Sequence, residues 1–158
     1  MDALKQIEQE EVSAGTLREF NLEAAWKLGM LARDTVLRAY PDESVVIDIT
    51  LISGQVLFHT VVGTKCTTDN DEWVRRKRLT VFRFGASSWY MGQKLQLKGK
   101  SVEDGLFVSE ADYACHGGSV PIRITSFDGV VGAFTISGLA QKQDHDLAIQ
   151  VLELFKQG

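Results

Sequence analysis

The sequence predicts an α+β fold, in which an antiparallel β-sheet is flanked by an amino-terminal and a carboxy-terminal helix. Two hydrophobic periods support this class. Apolar residues recur at helical spacing in one segment near each end, whereas in four segments between them they alternate with polar residues. Short turns join the alternating segments in pairs, and strands joined by tight turns pair antiparallel. A sheet with one apolar face needs a cover, which the two long helices are expected to supply.

The 158 residues are expected to form a single domain (1–158), because this length buries a sizeable core. The composition, 44% hydrophobic and 24% charged, is typical of a soluble globular protein. A net charge of -4 offers no basic field for nucleic acid, and no apolar run reaches the roughly 18 residues of a membrane span. The charged amino terminus predicts no secretory signal. Cys66 and Cys115, far apart and outside any CxxC motif, fit the cytoplasm.

The elements follow in order along the chain. Residues 1–15 are expected to form a peripheral segment with a short polar helix. Thr16 to Glu19 match a capping box, and Asn21 is a second candidate N-cap for the helix Phe20–Ala39, which Pro41 terminates. The predicted strands and the closing helix are Val45–Leu51, Val56–Val61, Ser119–Thr125, Val130–Ser137 and Lys142–Phe155.

Turns and helices fill the remaining segments. Ser53-Gly54-Gln55 and Asp128-Gly129 are predicted to turn the two hairpins, and Val45–Leu51 alternates as a half-buried strand should. Acidic residues open a helix predicted over Asp69–Phe84, which Gly85 ends. Further expectations are a helix over Ser87–Leu97, then a loop over Lys98–Tyr113 with an extended piece near Leu106-Phe107-Val108.

Two motifs resemble one known family. The run HGGSVPIRITSFDGVVGAFTISG from His116, followed by Asp144, and the residues Lys77, Thr80, Phe84 and Gly85 are similar to the GlcG/HbpS-like family, often labelled "haem-degrading domain". The sequence around the second of these motifs, from DNDEW to RFGASSWYMG, is more similar to a branch of uncharacterised small proteins that includes fungal ones. The resemblance spans roughly residues 43 to 155. It implies a profilin-like arrangement, frequent oligomers and, in some members, haem binding.

His116-Gly117-Gly118 is the best small-ligand candidate. Two glycines permit positive φ and let backbone N–H groups converge on a carboxylate, although they equally suit a bulge entering the next strand. The resemblance makes His116 an axial-ligand candidate for haem. The chain has only three histidines, and none is spaced as one of a pair of haem ligands, so we assign no cofactor from the sequence.

Ser137 and Asp144 flank the start of the last helix and are further ligand-binding candidates. A Ser137–His116–Asp144 triad is conceivable, but the chain contains no G-x-S-x-G elbow and we assign no catalytic residue. Asp144-His145-Asp146 diverge by about 100° per residue on a helix, so no metal site is expected.

Four consecutive basic residues, Arg75 to Arg78, spread around nearly the whole helix that contains them. In one interpretation their stems snorkel and most heads stay in water. In the other, one or two, with Lys77 as a ligand-binding candidate, reach a pocket or subunit interface and hold an acidic group.

A cluster of aromatic and basic residues around Gly85 suits either the core or an oligomer interface, where aromatic, Met and Arg side chains are enriched. The interface candidates are Trp73, Arg75, Arg76, Arg83, Trp89, Tyr90 and Met91. The hypothesis that best fits the sequence is a non-enzymatic cytoplasmic homo-oligomer that binds another protein or a small acidic ligand. The alternatives are a haem or tetrapyrrole binder and an enzyme of unknown reaction using His116, Lys77 and Asp144.

Overall fold

The amphipathic and alternating segments fold into helices and strands in nearly the predicted order. A computed structural model describes residues 2–158, which form six α-helices and five β-strands. Their bounds are α1 Asp2–Gly15, β1 Thr16–Leu17, α2 Leu22–Ala39, β2 Val45–Leu51, β3 Val56–Val62, α3 Thr68–Phe84, α4 Ser88–Lys98, α5 Val102–Leu106, β4 Ser119–Ile124, β5 Phe127–Ser137 and α6 Gln141–Gln157. Across residues 2–158, no helix has both the length and the apolar character that crossing a membrane requires.

The sheet has the strand order β1-β4-β5-β2-β3. The four long strands pair antiparallel, as predicted, and with the flanking helices they confirm the α+β class. The short strand β1 runs parallel to β4, so the sheet is mixed rather than purely antiparallel. Thr16 therefore belongs to a strand, and the predicted capping box there is wrong. Asn21 caps α2 instead, because its side-chain oxygen accepts a hydrogen bond from Ala24 N at 2.8 Å.

Two connections differ from the prediction. Thr125 and Ser126 turn the last hairpin, whereas Asp128-Gly129 lies inside β5. The predicted loop after α4 contains the short helix α5, because Ser101 caps it by accepting a hydrogen bond from Asp104 N at 3.1 Å. Phe107, with φ of 58°, ends that helix, so no extended piece forms there.

One face of the sheet holds the main apolar core. Ile47 on β2 and Phe134 on β5 are fully buried beneath Leu28 of α2 and Leu152 of α6. The two long helices thus cover this face, as the sequence predicts. Burying side chains of this size contributes roughly 1.5–3 kcal/mol each, which makes this layer the main source of stability.

The opposite face of the sheet is buried as well, which the sequence did not predict. Residues 45 to 50 of β2 are all buried, because α3 packs across the face that was expected to meet water. Polar side chains on this face bond to one another: Thr50 donates to Asp48 at 2.6 Å, and Ser119 pairs with Thr135 at 2.8 Å. Arg78 of α3 adds an ion pair to Asp48 at 3.2 Å. Burial of polar groups is tolerated here because they are paired.

The amino-terminal helix α1 has an exposed face and a buried end. Most of its residues are exposed, as expected of a peripheral segment. Glu11, however, is 2% exposed, and its carboxylate accepts hydrogen bonds from the backbone N and hydroxyl of Ser87 at 2.7 and 2.6 Å. Burial raises the pKa of Glu11, while the bonds from Ser87 oppose that shift. This carboxylate joins α1 to the start of α4.

Candidate functional site

The polar layer between α3 and the sheet opens to the surface in a pocket of about 250 Å³. Side chains from α3, from the approach to β4, from the end of β5 and from the start of α6 line this pocket. They are Asn70, Trp73, Lys77, His116, Ser137, Gly138, Leu139, Gln141 and Asp144. The structure thus brings Lys77, His116, Ser137 and Asp144, which the sequence places far apart, into one site.

Lys77 lies at the base of the pocket and is 3% exposed. Its ammonium donates to Ser137 Oγ and to Asp144 Oδ2, each at 3.2 Å. Burial lowers the pKa of the Lys77 amine, and Asp144 opposes that shift. A lysine has three N–H donors, so two bonds leave one for a ligand.

Asp144 holds the position of Lys77. Its two oxygens accept hydrogen bonds from Leu139 N at 2.9 Å and from Gly138 N at 3.2 Å, in addition to the ion pair. Burial raises the pKa of this carboxyl to about 6, while Lys77 and the two amides favour the charged form. The carboxylate also lies in the first turn of α6, where the helix dipole stabilises negative charge.

The Gly117-Gly118 corner lies beside this ion pair. Gly118 has φ of 139°, and a Cβ added there would clash with Ile136 O and lie 2.9 Å from Lys77 Nζ. Gly117 is packed so tightly that a Cβ would lie 3.1 Å from both His145 and Trp89. Its N–H donates to Gln141 Oε1 at 3.0 Å, so that donor does not face a ligand. The corner therefore admits the ammonium rather than forming an anion nest by itself.

Two amide side chains at the pocket are oriented by the backbone. Asn70 Oδ1 accepts from Thr67 N at 2.8 Å, which caps α3, and Gln141 Oε1 accepts from Gly117 N. Amide orientation is assigned from such bonds, and here it leaves each NH₂ end as the uncommitted donor. Neither residue was predicted from the sequence as part of the site. Asn70 was detectable as the fourth residue of a Thr67-x-x-Asn70 cap, whereas nothing in the sequence distinguishes Gln141.

His116 and Trp73 form the upper wall of the pocket. Their rings meet edge to face with centroids 5.0 Å apart, and the Arg76 guanidinium lies 4.6 Å from the Trp73 ring centre. Partial burial, followed by the charges of Lys77 and Arg76, lowers the pKa of His116, so its imidazole is neutral at neutral pH. Ser137 bonds to Lys77 rather than to His116, so the conceivable Ser-His-Asp triad is not assembled.

The arginines flanking Lys77 have partners within the chain. Arg75 pairs with Glu72 and Asp112 at 3.1 and 3.2 Å, and Arg76 donates to Glu110 O at 2.6 Å. Arg83 is exposed and lies 5.6 Å from the centre of the Tyr113 ring. Within the basic run, Lys77 thus reaches the pocket and Arg78 reaches Asp48. Arg75 and Arg76 lie nearer the surface.

The remaining interface candidates lie on α4. Met91 is 4% exposed and packs with Leu95 and Cys115 inside its own chain, so its side chain is absent from the surface. Trp89 stacks on His145 with centroids 5.9 Å apart, and Tyr90 is half-buried. Aromatic side chains that are more exposed than Trp89 and Tyr90 lie elsewhere, at Trp26, Phe107 and Phe127.

The pocket does not fit haem. Its volume is below the range of roughly 300–1,000 Å³ that encloses drug-sized ligands, and polar groups line most of it, whereas haem needs a longer apolar slot. Among residues 2–158, His59 has both ring nitrogens bonded to Asp48 and Asp71, and His145 is 4% exposed. His116 is therefore the one imidazole positioned to approach an iron, and its neighbours are Trp73 and two cations.

Fold and site together define a small α+β protein with a pocket rich in hydrogen-bond donors. Residues 20–153 match the family described as "Haem degrading protein HbpS-like", and this chain belongs to that family. The UPF0303 protein RL3365 of Rhizobium johnstonii is 45% identical over 97% of this chain and 90% of its own length. The UPF0303 protein YBR137W of Saccharomyces cerevisiae is 42% identical over 88% of this chain and 76% of its own length. These matches confirm the predicted family and its branch of small proteins that includes fungal ones.

Solved structures support the same fold. The crystal structure of Ybr137w has a TM-score of 0.93 and 39% identity, over 98% of this chain and 90% of that one. HbpS has a TM-score of 0.64 at 16% identity, over 86% of this chain and 89% of its own. A complex of PduOC with haem has a TM-score of 0.67 at 18% identity, over 86% and 94% of the two chains. The latter two resemble this chain in fold alone.

Proposed function

We propose that this protein is a non-enzymatic binding protein that takes a small carboxylate-bearing ligand in the Lys77 pocket and acts as a cytoplasmic homo-oligomer. One observation supports the ligand class most strongly: the uncommitted polar groups of the pocket are mainly donors. Lys77 retains one N–H, and Asn70 and Gln141 present NH₂ ends because their oxygens accept backbone hydrogen bonds. A site built from donors favours a ligand rich in acceptors.

The charges agree with this ligand. Lys77 and Arg76 lie near the pocket, and the charge of Asp144 is already shared by Lys77 and two backbone amides. Asp144 therefore stabilises Lys77 without presenting a free carboxylate to a ligand. A ligand carboxylate would gain charge-assisted hydrogen bonds, which are about twice as strong as neutral ones.

Size restricts the ligand further. A pocket of about 250 Å³ suits a molecule of a few carbon atoms, whose apolar part would contact the ring of Trp73. The pocket volume also distinguishes this proposal from haem binding, the alternative that the family resemblance supports. An absorbance titration with haemin distinguishes the two.

Self-association is the second part of the proposal. Phe107 is 85% exposed, and Trp26 and Phe127 are each 58% exposed, so these aromatic side chains are available to a second copy of the chain. Arg83 and the partly exposed Tyr90 keep the α3–α4 surface a candidate interface. The free cysteines Cys66 and Cys115 suit a reducing compartment.

Calorimetric titration with lactate tests the ligand class, and lactamide is the uncharged control. The sharpest variant is Gln141→Glu, which keeps the oxygen that accepts from Gly117 N but replaces the donor end with a negative charge. Gln143→Glu is its matched control: this exposed residue on the same helix accepts from Ala140 N and does not line the pocket. We expect lactate to bind and lactamide not to, and Gln141→Glu alone to weaken lactate binding by at least about tenfold. Equal binding of lactate and lactamide would contradict the proposal.

A further inference from the structure

The Lys77 amine is a potential nucleophile as well as a donor. A lysine amine attacks a carbonyl carbon only in its neutral form, and burial in a low-dielectric site favours that form. Lys77 is 3% exposed, yet it lines a pocket open to the surface, so the same atom is desolvated and reachable by a small molecule.

The neighbours of Lys77 Nζ are those that imine chemistry needs. Asp144 Oδ2 lies 3.2 Å away and can accept and return a proton, and Ser137 Oγ lies at the same distance. On the third side, the lack of a side chain at Gly118 leaves the nitrogen uncovered, because a Cβ there would lie 2.9 Å from it. The amine therefore has a proton acceptor and an open approach.

We propose that Lys77 captures the carbonyl carbon of a small 2-oxo acid as a Schiff base. This inference rests on the proposed function, because the donors of Asn70 and Gln141 that would hold a ligand carboxylate are the ones that would orient the adjacent carbonyl. A 2-oxo acid combines the two groups at adjacent carbons, and its smallest members match the volume of about 250 Å³.

The step is balanced without a further reactant. Lys77 passes one proton to Asp144, and Nζ then adds to the carbonyl carbon to form a carbinolamine. The carbinolamine oxygen takes up the Asp144 proton and one more proton from nitrogen, and it leaves as water while the C=N bond forms. The product is a protonated imine, because the nitrogen keeps the third of its original protons and no net proton is exchanged with solvent. Lys77 thus keeps its single positive charge, and Asp144 remains its counter-ion. No electrons are gained or lost.

The pKa values agree with this geometry. Burial lowers the pKa of Lys77 and raises that of Asp144 to about 6, so both shifts ease proton transfer from the amine to the carboxylate. Cys115, the other nucleophile close to this region, is buried with its pKa raised to about 11 and stays a thiol.

Trapping with pyruvate and sodium borohydride tests the inference. Borohydride reduces an imine to a stable secondary amine, which intact mass and peptide mapping then locate. We expect one adduct per chain, on Lys77, and protection by excess lactate, which has no carbonyl to react. Lys77→Arg keeps a cation beside Asp144 and should abolish the adduct. Lys142→Met should not, because Lys142 is an exposed lysine outside the pocket lining.

Gln141→Glu and Gln143→Glu provide a second comparison that leaves Lys77 in place. We expect the first to slow capture by at least about tenfold and the second to leave it unchanged. Adducts scattered over exposed lysines, or no adduct while lactate still binds, would overturn the inference and leave the proposed function standing. Absence of both lactate binding and capture would overturn the two together.

Discussion

Lys77 on α3 and Asp144 on α6 form an ion pair at 3.2 Å, and their side chains are 3% and 1% exposed. Both charges lie between α3 and the sheet, on the face that the alternation of residues in β2 predicted to be exposed to solvent. Such a pair is costly to bury and is retained where its partners are fully bonded. Here Ser137 and the amides of Gly138 and Leu139 complete those bonds.

Removing one member of this pair should destabilise the fold strongly. We expect Lys77→Met to lower the free energy of unfolding by about 3–5 kcal/mol, because the Asp144 carboxylate would stay buried without its cation. The double variant Lys77→Met/Asp144→Asn should lose at least about 1 kcal/mol less than the sum of the two single losses. Urea denaturation measures all three. Additivity within about 0.5 kcal/mol would show that the two groups do not interact.

The buried His145 should make the free energy of unfolding depend on pH. Burial lowers its pKa from 6.5 to about 4, and its Nδ1 lacks a hydrogen-bond partner among residues 2–158. The unfolded chain therefore binds a proton below about pH 6.5, whereas the folded chain binds it only near pH 4. Stability contributed by the neutral ring is complete above pH 6.5 and is lost as the pH falls toward 4, by about 3 kcal/mol.

The variant His145→Phe isolates this effect, because a phenyl ring preserves the stacking on Trp89 but does not titrate. Denaturation between pH 7 and pH 4 should show the native protein losing stability relative to the variant. Parallel curves for the two proteins would refute the assignment.

Gly54 and Gly118 both have positive φ, but only Gly118 is crowded by neighbouring atoms, so the two can be compared. Gly54→Ala, at φ of 94° in open space, should cost about 1 kcal/mol from the backbone alone. Gly118→Ala should cost about 3 kcal/mol, because its Cβ would also meet Ile136 O and Lys77 Nζ. Thermal denaturation of both variants measures the difference, and equal losses would remove the crowding argument.

Self-association is tested by light scattering, which should give a mass well above the 17.5 kDa of one chain. Arg83→Glu places the opposite charge on the exposed part of the α3–α4 surface and should lower that mass. Trp26→Lys makes a comparable change on α2, where a 58% exposed indole offers a different interface. A lower mass with Trp26→Lys alone would move the interface to α2. A native mass of one chain would contradict the proposal.

The sequence predicted the fold class and the residues of the site better than their arrangement. Periodicity located the four long strands and two covering helices, and the glycines at 117 and 118 indicated the corner where φ is positive. The position of α3 was not predictable in this way. The alternation of β2 is the same whether water or a polar helix face lies above it, so Asp48 was assigned to the solvent.

The chemistry of the pocket depends on contacts that no local pattern encodes. Lys77 was one of four basic residues, and only the packing of α3 shows that it alone meets Asp144. The donor role of Gln141 arises because Gly117, 24 positions earlier, donates to its oxygen. Sequence spacing does not specify that bond.

Binding of a small carboxylate in the Lys77 pocket is best tested by an NMR titration of the isotopically labelled protein with lactate. We expect saturable shifts of the backbone amides of Gly118, Gly138 and Leu139, which border Lys77 and Asp144, and a loss of those shifts in Gln141→Glu but not in Gln143→Glu. Amides that stay fixed at saturating lactate, or shifts confined to a surface away from Lys77, would contradict it.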